Sequence, residues 1–313
     1  MKSNASIRQK NGKRGEWAKD FKQNGTLYLL VLPVLAYYIL FCYRPMYGTL
    51  IAFESYSPRL GFFGSEWIGL ENFKSFFQSA DFTRILGNTL RISIKTLLVT
   101  FPSPIILALL INEMRCERLK KFVQTTSYLP HFISMVVICG MIKDFVAQDG
   151  IVTMFAGLFG FGKKNMLLDP KLFDPVYVIS AVWQSIGWDS IIYLAALSAV
   201  DVEQYEAADI DGAGRFAKMF YITFPSIQPT IITMLILRVG QVMSLGYEKI
   251  ILLYNPSIYS TSDVISSYVY RIGFETQNWG YSAAVGLFNS VINTTLLLAT
   301  NTLSKKMTET SLW

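Results

Sequence analysis

A single histidine, His131, stands in 313 residues, and the three cysteines, Cys42, Cys116 and Cys139, form no CxxC pair. Metal chemistry therefore has almost no ligand set, a disulfide framework has no spacing to rest on, and the usual imidazole base is nearly missing. The four residues read as packing residues or as polar tips near helix ends. Charge is scarce as well. Only 16% of residues are charged, against about 25% in soluble domains. The net charge of +6 comes from basic residues that flank apolar runs, so topology accounts for it better than a nucleic-acid partner does. No cleavable leader is visible, because about 25 polar and basic residues precede the first apolar run, which is itself too long for a signal core.

What the chain has in excess is apolar surface: 52% of residues are hydrophobic and 14% aromatic. These residues cluster in runs of about 20 with almost no charge, each long enough to cross ~30 Å of hydrocarbon. The reading is an all-α polytopic membrane protein with six spans, at 27–47, 85–111, 130–146, 176–200, 226–253 and 283–303. The third is the weakest, being short and ending at Lys143-Asp144.

Orientation follows from lysine and arginine. One set of connecting segments holds fifteen: Lys2, Arg8, Lys10, Lys13, Arg14, Lys19 and Lys22, then Arg115, Arg118, Lys120 and Lys121, then Arg215 and Lys218, then Lys305 and Lys306. The alternate set holds seven: Arg59, Lys74, Arg84, Lys163, Lys164, Lys171 and Arg271. The positive-inside rule then predicts both termini in the cytoplasm of a bacterial cell membrane. The first outer loop carries Leu70, Phe73, Phe76 and Phe77 at helical spacing, which predicts a helix lying at the membrane interface.

The loop at 201–225, between spans four and five, is the most informative stretch. Asp201 sits where a side chain caps a helix, and Gln204 three residues on completes a capping-box-like pair. Glu203 and Glu206 fall in the first turns, where the helix dipole favours acids. Gly212 and Gly214 break the helix, and Pro225 opens the next span where its missing N–H does no harm. The prediction is a short cytoplasmic helix, a glycine turn, a second amphipathic segment and then the fifth span. Ala207 and Ala208 beside Glu206 leave one face with little bulk and one charge. That face suits docking into a groove of another protein, and an ordinary interfacial helix fits equally well.

Glu206-Ala207-Ala208, three residues, Gly212, nine residues and then Ile222-Thr223-Phe224-Pro225 resembles the EAA loop of ABC-importer permeases, EAA-x3-G-x9-I-x-L-P. Phe224 for Leu is the one departure. Arg44-Pro45-Met46-Tyr47-Gly48, Trp67-Ile68-Gly69-Leu70-Glu71-Asn72-Phe73, Leu109 to Glu113 and Tyr128 to Ser134 resemble the sugar-permease branch over nearly the whole chain. The first two are most similar to the LplB-type oligosaccharide permeases. The resemblance implies a type I permease domain over 26–313 behind an N-terminal cytoplasmic arm, 1–25. It implies a chain that is not an enzyme, with ATP and Mg²⁺ on two separate ATPase subunits and no cofactor of its own. It also implies a second, different permease subunit, an extracellular solute-binding protein that delivers oligosaccharide, and surrounding lipid. Glu206, Ala207, Ala208 and Gly212 take the role of the coupling segment by this resemblance. One near-miss to an ATP site, Gly157-x4-Gly162-Lys163, has Lys164 where Ser or Thr should hold Mg²⁺, and reads as coincidence.

Polar residues inside a span are costly and so are functional candidates. On span four, Ser185, Asp189 and Tyr193 form one stripe, Gln184 and Trp188 pair beside it, and Trp183 lies a turn outward. On span five, Arg238, Gln241 and Glu248 fall within about 80° on a continuous helix. Span six adds Asn289 and Asn293. Asp189 lies ~20 Å in from one side and Arg238 ~18 Å from the other, so the two meet mid-membrane, either as a structural ion pair or within a translocation pathway. In the second case Trp183, Trp188 and Tyr193 would offer flat faces to sugar rings. Two other classes compete. An ion-gradient-driven secondary transporter would show inverted repeats, and a membrane-embedded enzyme would need clustered histidines or carboxylates; neither accounts for the 201–225 loop.

Overall fold

Hydrocarbon leaves helices as the economical way to satisfy backbone groups, and the computed structural model is built almost wholly from them. It describes residues 20, 23–160, 162, 164–308 and 311–312. The basic residues Lys2, Arg8, Lys10, Lys13, Arg14, Lys19 and Lys22, most of the 1–25 arm, and Lys163 lie outside the described residues. The helices that matter below are α1 (Gln23–Phe53), α2 (Glu71–Gln78), α3 (Asp81–Asn112), α4 (Glu117–Phe132), α5 (Met135–Phe145), α6 (Ile151–Leu158), α7 (Phe173–Ser198), α8 (Val202–Ile210), α9 (Arg215–Val239), α10 (Tyr247–Leu253), α11 (Ile265–Tyr270) and α12 (Trp279–Thr308). A two-residue hairpin pairs β1 (Glu54–Ser55) with β2 (Glu66–Trp67).

Four of these helices are long and apolar enough to cross a membrane, or up to six if each of two bent pairs counts as one span. The chain divides into two units, Met1–Ile51 and Ala52–Trp313. In the first, apolar side chains such as Leu29, Leu32, Leu35 and Phe41 are exposed. In the second, α7 is the central element and packs against α3, α4 and α9, while α12 packs against α2, α9 and α11. One core gathers Ile92, Ile138, Phe173, Tyr177 and Ile250, a second Phe76, Ile85, Met243 and Val285, and a third Ile105, Ala108, Tyr193 and Ile227.

The structure corrects two sequence expectations. The third span is not one helix over 130–146: α4 and α5 meet at a 103° break. Pro130 sits in the bend, Ile133 is extended, and Ser134 accepts from the Val137 amide at 3.4 Å to start α5. Arg118, Lys120 and Lys121 consequently stand on a helix rather than in a loop. The fifth span also breaks, since α9 stops at Val239 and α10 begins at Tyr247. Gly240 packs so closely on Leu297 that a Cβ there would meet its Cδ1 at 2.6 Å. On α2 and its N-cap the apolar positions divide, with Leu70 and Phe77 exposed. Phe76 is fully buried, edge-on to Phe82, Tyr281 and Phe288.

α7 crosses the end of α4 at Gly187, where an added Cβ would meet the Ser127 carbonyl and the Tyr128 amide nitrogen, the latter at 2.8 Å. The obstacle is backbone, which cannot swing aside. Gly187→Ala is expected to destabilise the fold by about 1–3 kcal/mol, as overpacking does, with the bulkier Gly187→Val worse. Thermal unfolding of the purified transporter measures both; an unchanged midpoint for Gly187→Val would refute the crossing.

Candidate coupling and translocation site

α8 leaves the end of α7 at 68°. Asp201 starts it by accepting from the Glu203 amide at 3.0 Å, one position short of a capping box with Gln204. Gly212 ends it with φ of 76°, and the Ala213 amide donates to the Ala208 carbonyl at 2.9 Å. A left-handed residue closing the last turn is the usual reason for glycine there. The helix is then tied to the start of α9: Lys218 pairs with Asp209, and Tyr205 and Thr223 share a hydroxyl hydrogen bond of 2.9 Å. Glu206 and Ala207 face outward and Ala208 is half-buried. Around them Ile210 is 88% exposed, with Val202, Phe216 and Tyr221 also open. The short helix is thus fixed at its base, with an apolar rim exposed and a Glu206 carboxylate that enters no ion pair among the described residues.

Deeper in the bundle, Arg238 donates to Asp189 across α9 and α7. The pair is not sealed off, because the Arg238 side chain is 42% exposed. Trp188, the residue before Asp189 on α7, stacks face to face on His131 with centroids 4.4 Å apart, and Phe132 meets its edge at 5.5 Å. The sequence reads His131 as a packing residue or a polar tip near a helix end, and it stands in the last turn before the α4–α5 break, packed on Trp188. Gln184 lies half-buried near the Met135 sulfur at 3.9 Å.

Other candidates fall elsewhere. Tyr193 is 3% exposed inside the third core, so it has no face to offer a sugar. Trp183 lines a separate apolar cavity. Gln241 and Glu248 are exposed, but the break after Val239 removes the single-helix stripe that joined them to Arg238. Asn293 pins that break, accepting from the Met243 amide at 3.0 Å and donating to the Ser244 hydroxyl at 2.7 Å. The buried side-chain oxygen of Asn289 has no hydrogen-bond partner among the described residues. The Gly157–Lys163 near-miss begins on a helix, α6, and not on a strand.

Two ion-pair networks were missed. Asp174 is 4% exposed and pairs with Arg91 at 2.9 Å and Lys95 at 2.8 Å. Asp263 is fully buried between Arg84 and Arg271. A signal for both existed: Arg84, Arg91 and Lys95 recur at i, i+7 and i+11 on one face of an otherwise apolar helix, and such charges seek partners.

Comparison with known proteins decides the family. Residues 82–309 match the binding-protein-dependent transport system inner membrane component. The chain belongs to that family. It is thus a permease subunit of an ABC importer, a multi-pass membrane protein, and not an enzyme. It is 43% identical to protein LplB of Bacillus subtilis over 96% of this chain and 95% of that protein. It is 41% identical to the polygalacturonan/rhamnogalacturonan transport system permease protein YteP of the same organism, over 93% and 91%. A solved bacterial ABC transporter involved in the import of the acidic polysaccharide alginate has a chain that superposes with a TM-score of 0.85 at 39% identity, covering 94% of this permease and 99% of that chain.

Proposed function

We propose that this permease imports oligosaccharides by alternating access, with six spans and both termini in the cytoplasm. It works beside a second, different permease subunit, two ATPase subunits that bind ATP and Mg²⁺, and an extracellular binding protein that hands over the sugar. The observation that carries the coupling role is α8: its Glu206–Ala207–Ala208 face is uncovered, while its base is tied to α9 by the Lys218–Asp209 and Tyr205–Thr223 contacts. A push on that face therefore moves a membrane helix. The oligosaccharide substrate is supported by the sugar-transporting relatives and by the exposed ring pair of Trp188 and His131. Co-purification in a mild detergent tests the assembly; recovery of this chain with no ATPase subunit would overturn it.

The Asp189–Arg238 pair belongs to the translocation pathway in this reading, with Gln184, Trp188 and Gln241 nearby in sequence order. Asp189→Asn and Arg238→Gln are each expected to lower uptake about tenfold, the cost of ~1.4 kcal/mol in the transition state. Because both side chains act on the sugar, the double variant is expected to stay low. Uptake of labelled oligosaccharide into proteoliposomes measures this, and full uptake in all three variants would remove the pair from the pathway.

A further inference from the structure

A cavity of about 830 Å³ lies among α5, α6 and α7, and neither coupling nor translocation uses it. Its walls are Phe145 from α5, Val152 and Ala156 from α6, and Val176, Ile179 and Trp183 from α7. The last three recur at i, i+3 and i+7 and make one continuous stripe. Lys164 and Lys171, in the connection between α6 and α7, complete the lining. Neither lysine enters an ion pair among the described residues. Asp169 is the acid in the lining, one carboxylate oxygen accepting from the Lys171 amide at 2.8 Å, so two cations face one anion there.

These walls suit a hydrocarbon chain and not a sugar. Ser180 is the hydroxyl within reach, and it already donates to the Tyr177 carbonyl at 3.0 Å. A carbohydrate there would leave most of its hydroxyls unpaired, at a cost of about 1–3 kcal/mol each. Depth agrees as well. From Phe173 to Trp183 the helix descends ~15 Å, half of the ~30 Å hydrocarbon thickness. The lysines therefore stand at headgroup level when Trp183 is near the bilayer centre.

We propose that this cavity holds one anionic phospholipid, its phosphate between Lys164 and Lys171 and one acyl chain along Val176, Ile179 and Trp183. The site rests only on α7 crossing the bilayer and not on the identity of the transported sugar. Two free lysines near a phosphate give charge-assisted contacts that a zwitterionic headgroup satisfies less well. The lipid would also fill the wedge between α5 and α7 that the α4–α5 break opens.

The test is native mass spectrometry of the assembled, delipidated transporter titrated with phosphatidylglycerol or phosphatidylcholine. Wild type is expected to retain phosphatidylglycerol in preference. The double variant Lys164→Gln/Lys171→Gln is expected to lose about tenfold in phosphatidylglycerol retention, with phosphatidylcholine unchanged, while Lys164→Arg/Lys171→Arg keeps the preference. Ala156→Trp, which fills the wall, is expected to lower retention of both lipids. Wild-type phosphatidylglycerol retention in the glutamine variant would overturn the proposal. So would a photo-crosslinker at residue 156 that captures the second permease subunit instead of lipid.

Discussion

Glu206→Lys is expected to abolish ATP-driven uptake while leaving the permease folded and in the membrane. Glu206 is exposed and enters no ion pair among the described residues, so within this chain its replacement changes stability by no more than about 0.5 kcal/mol. At an interface the same change is severe. Reversing a charge that a partner has desolvated costs about 2–5 kcal/mol, so uptake should fall at least ~30-fold. Gly212→Val should act through geometry. At φ of 76° a β-branched residue is strained by about 1–3 kcal/mol, and relief comes by shifting the turn that fixes α8 against α9. Uptake and ATP hydrolysis are to be measured together in proteoliposomes holding the assembled transporter. Loss of uptake with an intact permease yield is the expected result; unchanged uptake in both variants would end the coupling reading of α8.

Asp263→Ala is expected to cost about 3–5 kcal/mol, the penalty for leaving buried charge without its partner. The Asp263 carboxylate accepts from both Arg271 nitrogens at 3.1 and 2.6 Å, from Arg84 at 3.3 Å and from the Ser267 hydroxyl at 2.9 Å. Burial works against the Arg271 charge, but the hydrogen-bonded carboxylate outweighs it and holds the guanidinium pKa above its ordinary value. Removing Asp263 strands that cation beneath the Tyr259 and Tyr268 rings. It also takes one of three partners from Arg84, leaving it Asp81 at the start of α3 and the Tyr259 carbonyl. The readout is a thermal midpoint lowered by several degrees and a reduced yield of folded permease. Replacing Asp263, Arg84 and Arg271 together by apolar residues is expected to recover part of the loss. A wild-type midpoint for Asp263→Ala would show that the network adds nothing.

The 201–225 loop was readable because its signals are local. A capping acid, two glycines and a proline act within a few residues of where they stand, and α8 begins and ends where they say. The candidate pathway was readable only in part. Stripes drawn on single helices assume the helix runs on, and the one on the fifth span does not. The α9 stripe fails because Leu297 and Asn293, some fifty residues away, close on Gly240 and Met243. The ring that His131 packs on, Trp188, was not legible because the two lie either side of a 103° bend between α4 and α5. Tyr193 looked like part of a polar stripe, yet the neighbours supplied by α3 and α9 bury it.

The sequence by itself determined the membrane class, the approximate position of each apolar run and the short capped helix of the 201–225 loop. Chain composition and spacing act within one helix, and hydrocarbon thickness does the rest. Tertiary structure alone decided where two of the spans break, which charges are sealed into pairs and which aromatic rings stay open. Those outcomes depend on how closely distant backbones approach, at Gly187 and Gly240 above all. Helix periodicity carries no information about the partner across such a contact.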